Sequence, residues 1–241
     1  MPIRNLLLRL MVLAASVLFL AAPGATRTPV RHRHGPVDWT RTVAATPEGG
    51  FRIGNPRAKV AVIEFMSFTC PHCGAFAAGG FPVIRDKYVR SGKVSFEMRS
   101  ALRDRADLVA ATLAQCAGQR HFFDMAEALF AAQSDWEIRA IDWDSGHPAP
   151  FDGPDGPAAM TAFAAGTGLD LVARQHGVPA SALPGCFADA AVRANLTRST
   201  AEAWGSRKIN GTPAFLINGV SSDDVHDWSM LEPLLQNAVK G

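Results

Sequence analysis

Glu64-Phe65-Met66-Ser67-Phe68-Thr69-Cys70-Pro71-His72-Cys73 runs an apolar strand pattern straight into a C-x-x-C. Upstream, Lys59 to Met66 is almost continuously apolar, as expected of a strand covered on both faces. Downstream, Pro71 suits the first position of a helix, where its missing N–H would have had no partner. Two sulfurs at this spacing on a helix start close a small disulfide ring, so redox chemistry is the leading reading. A structural disulfide or half a zinc site is the alternative, and it needs a buried loop or two further ligands.

Beyond the dithiol, Phe76, Val83, Ile84 and Tyr88 form a helical stripe, with a kink or break expected at Gly79-Gly80 and Pro82. Ser91-Gly92 ends that helix, and Lys93 to Arg99 alternates Val94, Phe96 and Met98 with polar neighbours as a second core strand. Strand, helix, strand predicts parallel neighbours joined by a right-handed crossover. Before the motif, Thr42 to Ala45 reads as a short strand, and Pro47-Glu48-Gly49-Gly50 and Gly54-Asn55-Pro56 are turn signals.

From about Leu102 to Ile209 the strand signals vanish, and Leu108, Leu113 and Ala117, Phe122, Met125, Leu129 and Phe130, then Phe163, Leu171 and Val172 recur at helical spacing. Within this insert Asp142 to Gly156 is dense in Asp, Gly and Pro and is expected to be a loop carrying Trp143 and Phe151. Asp142 and Asp144 are spaced like the first ligands of a calcium loop, but Gly146 takes the next ligand position and no matching Glu follows. Strand character returns at Ala214 to Ile217, and Asn218-Gly219 is a two-residue hairpin signal with an antiparallel partner expected near Val220. A last helix is expected from Asp227 to Val239, with Trp228, Leu231, Leu234 and Leu235 on one face.

The 241 residues, 48% of them hydrophobic, are enough for one good-sized core with an inserted subdomain. Arg4 and Arg9, the uncharged run Leu10 to Ala22 and small residues through Ala25 have the order of a secretory signal; the run falls short of the roughly 20 apolar residues of a membrane span. An uncleaved anchor is the alternative. Without Arg4 and Arg9 the formal charge falls from +2 to zero, and nothing calls for a nucleic-acid partner. Residues 26 to 41, rich in Arg, Thr, Pro and His, read as a mobile tether, with Arg31-His32-Arg33-His34 a solvated stretch rather than a metal site. In an exported chain disulfides persist, so four cysteines read as two pairs, Cys116 with Cys186 in the insert; two buried free thiols are the alternative.

Val62-Ile63-Glu64-Phe65, Ser67-Phe68, Cys70-Pro71-His72-Cys73 and Gly211-Thr212-Pro213 resemble the DsbA-like branch of the thioredoxin superfamily, over about residues 51 to 241. The resemblance implies an α/β thioredoxin fold in two parts, 42–101 and 210–241, around a helical insertion at 102–209, after a signal at 1–25 and a linker at 26–41. It implies that Glu64 is the buried acid that exchanges a proton near the second cysteine, a strand end reaching the surface being the alternative. It also implies that Thr212-Pro213 is the cis-proline loop packed on the dithiol.

A Cys70 thiolate is expected over the first N–H groups of its helix, lowered further by His72, with Cys73 one turn deeper as the resolving thiol. The expected function is an exported, periplasmic thiol:disulfide oxidoreductase acting as an oxidase, monomeric, without cofactor or metal. By resemblance its partners are exported proteins with free thiols and a membrane-bound, quinone-linked protein that reoxidises it. A disulfide isomerase or reductase, or a peptide-binding chaperone with an incidental dithiol, are the alternatives. Met66 and Phe68 are candidates to accept an extended peptide, or to be core.

Overall fold

The computed structural model describes residues 37–147, 151–222 and 224–241. The expected signal, the tether up to residue 36 and Arg31–His34 lie outside them. Within the last residues assigned to the tether, Trp39–Arg41 form a 3-10 turn capped by the Asp38 side chain, and the Trp39 ring lies where a Cβ on Gly92 would sit. This end of the tether is therefore part of the fold.

Among the described residues six strands form one sheet: β1 (Val43–Ala45), β2 (Phe51–Gly54), β3 (Val60–Met66), β4 (Val94–Ser100), β5 (Ala214–Ile217) and β6 (Val220–Ser222), in the order β1-β2-β4-β3-β5-β6. The β3–β4 pair is parallel, in register from Val60 opposite Val94 to Met66 opposite Ser100, and every other pair is antiparallel. The strand β2 was not expected from sequence. Its four residues sit between two turn signals, and only Phe51 and Ile53 alternate inward, which is too short a run to separate from a loop.

Helix α1 (Pro71–Val83) and the π-helical turn Ile84–Val89 link β3 to β4. The expected break at Gly79-Gly80 is absent. A Cβ on Gly80 would lie 2.6 Å from the Phe76 ring and 3.0 Å from Cβ of Trp228, so this glycine lets the last helix approach closely. Pro82, which cannot donate, is followed by the change from α to π spacing at Ile84. Phe76 and Phe81 of α1 pack against Phe96 of β4, and Phe76 also against Phe215 of β5, which anchors the dithiol helix to the sheet.

The stretch between β4 and β5 holds α2 (Arg105–Cys116), α3 (Gly118–Ala131), α4 (Gln133–Gly146), α5 (Gly156–Thr167), α6 (Leu169–Gln175), α7 (Leu183–Ala188) and α8 (Ala190–Ala201). Asp142 to Gly146, expected in a loop, instead complete α4. Trp136, Ala140 and Trp143 share one face of that helix, Trp136 is wholly buried and the Trp143 ring meets Phe163 edge-on, so packing outweighs the turn-prone residues. Leu171, expected on a buried stripe, is 52% exposed while Leu169 and Ala173 are sealed.

On α9 (Trp228–Lys240) Leu231 and Leu235 are buried and Leu234 is 40% exposed, because it falls to the flank of their stripe. The polar residues of β4 are buried as well. Arg99 Nε donates to Glu97 at 2.7 Å and Arg99 Nη1 to Glu202 at 2.6 Å, so the alternation marks a second covered face rather than a solvent face. Cys116 and Cys186 are disulfide-bonded, tying the end of α2 to α7.

Candidate active site

The β3 strand ends at Met66, and four residues later Cys70 caps α1. Pro71 has no N–H, so the first donors of the helix are those of His72 and Cys73, and both favour the Cys70 thiolate. The Cys73 thiol contributes most by donating to Cys70, and the Thr212 hydroxyl adds to it; against the cost of burial these bring Cys70 from 9.0 to about 4. In its protonated form Cys70 donates instead to the Thr212 carbonyl at 2.9 Å. That bond favours the thiol, but the donors outweigh it.

Cys73 is moved the opposite way. Burial pushes its thiol well above 9.0, its role as donor to Cys70 adds to this, and so does the charge of Glu64. Cys70 keeps 3% of its surface exposed and Cys73 none, so the sulfur that ionises is also the one nearer solvent.

Glu64 lies in the middle of β3, paired across the sheet with Met98 and Phe215, and is 1% exposed. It is therefore not a strand end reaching the surface. Among the described residues neither of its oxygens has a hydrogen-bond partner, and burial, reinforced by a Cys70 thiolate, raises the carboxyl well above 4.5. The Thr212-Pro213 bond is cis, and His226 bonds the Pro213 carbonyl through Nδ1 at 2.9 Å. A carbonyl only accepts, so Nδ1 carries the proton. His72 reaches Cys70 with its backbone N–H, while its residue surface is exposed on the first turn. Met66 and Phe68 expose nothing; both are core, with Phe68 packed on Phe130 at 4.8 Å, and neither offers a surface to a peptide.

Three side chains that the sequence did not single out complete the surroundings. Asp107 of α2, wholly buried, accepts from the Phe68 N–H at 2.8 Å and the Arg103 N–H at 3.1 Å. Gln133 Nε2 donates to the carbonyls of Phe68 at 2.7 Å and Cys70 at 3.0 Å. Asp104 caps α2 and accepts from the Thr69 hydroxyl. Asp104 and Asp107 at the head of an apolar helical run are legible as a helix start. Their reach to the cysteine loop is not.

The family model described as Thioredoxin matches residues 46–237. A Rickettsia bellii protein named as a protein-disulfide oxidoreductase is 25% identical over 182 residues, covering 73% of this chain and 60% of that protein, so the chain spans less than two thirds of its relative's length. Among solved structures, a protein-disulfide isomerase from Novosphingobium aromaticivorans superposes with a TM-score of 0.70 at 27% identity, over 80% of this chain and 98% of that one. The Wolbachia pipientis α-DsbA1 structure superposes at 0.56 with 22% identity, over 78% and 90%. The matched span takes in both parts of the sheet as well as the helices between them, and the chain belongs to the thioredoxin family, in the helix-inserted form of the fold that DsbA structures share.

Proposed function

We propose that the protein is an exported thiol:disulfide oxidoreductase that works as an oxidase through Cys70 and Cys73. The observation that carries this reading is the opposite displacement of the two thiols, Cys70 down to about 4 and Cys73 well above 9.0. A reduced dithiol held as a thiolate at neutral pH is stabilised relative to its disulfide, so the disulfide is a strong oxidant. A substrate thiolate attacks the Cys70 sulfur, the Cys70–Cys73 bond breaks, and Cys73 leaves with the electron pair and takes up a proton. A second substrate thiolate then attacks the substrate sulfur of the mixed disulfide and releases Cys70 as a thiolate. Two electrons have passed from substrate to enzyme.

Glu64, its carboxyl raised by burial and coupled to both sulfurs, is the group suited to exchange with Cys73 the proton that it takes up on reduction and gives back on reoxidation. The partners of this reading are exported proteins with free thiols and a quinone-linked membrane protein that takes the electrons onward. The chain acts as a monomer in the periplasm. Refolding of a reduced, denatured substrate with and without the oxidised protein tests it: wild type should accelerate disulfide formation and Cys70→Ser should abolish the gain. Equal gains from both would leave a peptide-binding chaperone.

The Novosphingobium neighbour, described as an isomerase, supports a second reading in which the same dithiol reshuffles bonds. Equilibration with glutathione separates the two. A potential near that of strong oxidants, around −120 mV, supports the oxidase, and one near −180 mV or below supports an isomerase or reductase.

A further inference from the structure

The segment Ser67–Cys70 carries the chain from β3 to the reactive sulfur without being strand or helix, yet the peptide groups of Phe68, Thr69 and Cys70 are accounted for. The Phe68 N–H goes to Asp107 and its carbonyl to Gln133. The Thr69 N–H goes to Ser67 Oγ at 3.2 Å, and the Thr69 carbonyl accepts from Arg103 at 3.3 Å. The Cys70 N–H closes on the Ser67 carbonyl at 3.2 Å, and the Cys70 carbonyl accepts from Gly74 and Gln133. Buried peptide groups must be paired somewhere, and here three of the partners, Arg103, Asp107 and Gln133, come from the segment that separates the two parts of the sheet.

Two of these three are themselves sealed, Asp107 with no exposed surface and Gln133 with 8%. Asp107 is tied further by the Ser67 hydroxyl and by its own N–H on Asp104 at 2.8 Å. Gln133 lies against the dithiol helix, where a Cβ on Gly74, the residue after Cys73, would be 2.6 Å from its Oε1. A side chain this close to Gly74 that also holds the Cys70 carbonyl spans both ends of the C-x-x-C turn.

We propose that Asp107 and Gln133 are positioning residues for thiol–disulfide exchange: from the helical insert they fix the Ser67–Cys70 loop so that Cys70 caps α1 and lies against Thr212. Neither touches the reacting sulfurs. Their effect passes through the main chain, because the donors that favour the thiolate act only while Cys70 is held in the cap position with an extended backbone, φ −98° and ψ 118°. The proposal rests on the redox reading of the dithiol, and it assigns the insert a part in setting the reactivity of that dithiol.

The test follows the thiolate absorbance of Cys70 against pH, together with the equilibrium with glutathione, in full-length Asp107→Asn, Gln133→Leu and Gly74→Ala. The asparagine can accept at only one oxygen, the leucine removes both Gln133 donors, and the Gly74 methyl pushes the glutamine aside. Each folded variant should titrate about one unit or more higher than wild type and show an equilibrium displaced about tenfold toward the enzyme disulfide. The double variant Cys116→Ala, Cys186→Ala serves as the comparison for stability alone and should titrate as wild type.

Unmoved titrations in folded Gln133→Leu and Asp107→Asn overturn the proposal. So does an equal upward shift in the cysteine double variant, which would make the effect one of insert stability. The oxidoreductase reading fails separately, if wild type does not exchange with glutathione at all. The titrations still decide the positioning question in that case.

Discussion

Glu64 reaches the dithiol on the sheet and Asp107 reaches its loop from the insert, and both are closed to solvent. Among the described residues the sheet acid has no hydrogen-bond partner at either oxygen, whereas each oxygen of the insert acid accepts a main-chain N–H. Burial raises both carboxyls, but hydrogen bonds from Ser67, Phe68 and Arg103 pull Asp107 back, and it comes to about 7 from 3.8. Nothing restrains Glu64, which rises well above 4.5 under burial and the neighbouring Cys70. An acid without hydrogen bonds is poised to trade a proton with a sulfur, while an acid bonded at both oxygens holds a shape. Burial alone does not tell these two uses apart; the partner inventory does.

That contrast breaks most readily by removing each acid in turn. Asp107→Ala leaves two main-chain N–H groups unpaired and should cost on the order of 4 kcal/mol in unfolding free energy, measured by urea titration. A loss below about 1 kcal/mol would mean that water or a neighbour takes over the bonds. Whether the insert depends on this contact more than on its crosslink is checked by Cys116→Ala, Cys186→Ala, which should cost about 2–4 kcal/mol while leaving the oxidation rate at permissive temperature nearly unchanged. A lost rate in that folded double variant would make the pair an electron relay.

Glu64→Leu should act in the other direction and stabilise the fold by about 1–2 kcal/mol, since it removes a buried carboxyl with no partner from between Met98 and Phe215. The same variant should slow both halves of the redox cycle, and a stable variant with wild-type turnover would strip Glu64 of its proton role.

The smallest effect is in the pH dependence. Asp107 titrates at about 7 in the fold, against an ordinary value of 3.8. Between these the native chain keeps a proton that the unfolded chain has released. Its contribution to stability is therefore complete below about pH 4 and is lost as pH rises through about 7. Asp107→Asn should flatten the fall of stability over that window, read from denaturation midpoints of the oxidised protein. An unchanged slope would place the titration elsewhere.

How far these residues could be read in advance follows from how local their reasons are. The run Val60–Met66, the Pro71 helix start and the Asn218-Gly219 hairpin are decided by neighbours in the chain, and the structure has each of them. Cys116 and Cys186 stood as a pairing among alternatives, and they are joined across 70 residues. The strand β2 escaped because four residues carry too little alternation, and the helical course of Asp142–Gly146 escaped because Trp143 finds Phe163 in another helix. Asp107 bonds a residue 39 positions earlier and Gln133 one 65 positions earlier. A single sequence records no such pairing, and an Asp at a helix start reads as a cap whatever else it holds.

The contact between Cys70 and Thr212 also sets a schedule for the growing chain. The two residues are 142 positions apart, so a growing chain that has not yet reached Thr212 has the C-x-x-C but nothing of that loop against it. Helix α1 has 13 residues, which is marginal for a helix standing by itself in water, so the N–H donors of His72 and Cys73 are not held in place until the sheet and insert have closed around them. The full lowering of Cys70 is thus reached only once Thr212 and the helix donors are in place, and a peptide spanning residues 64–83 should titrate near 9.0, as an ordinary thiol does.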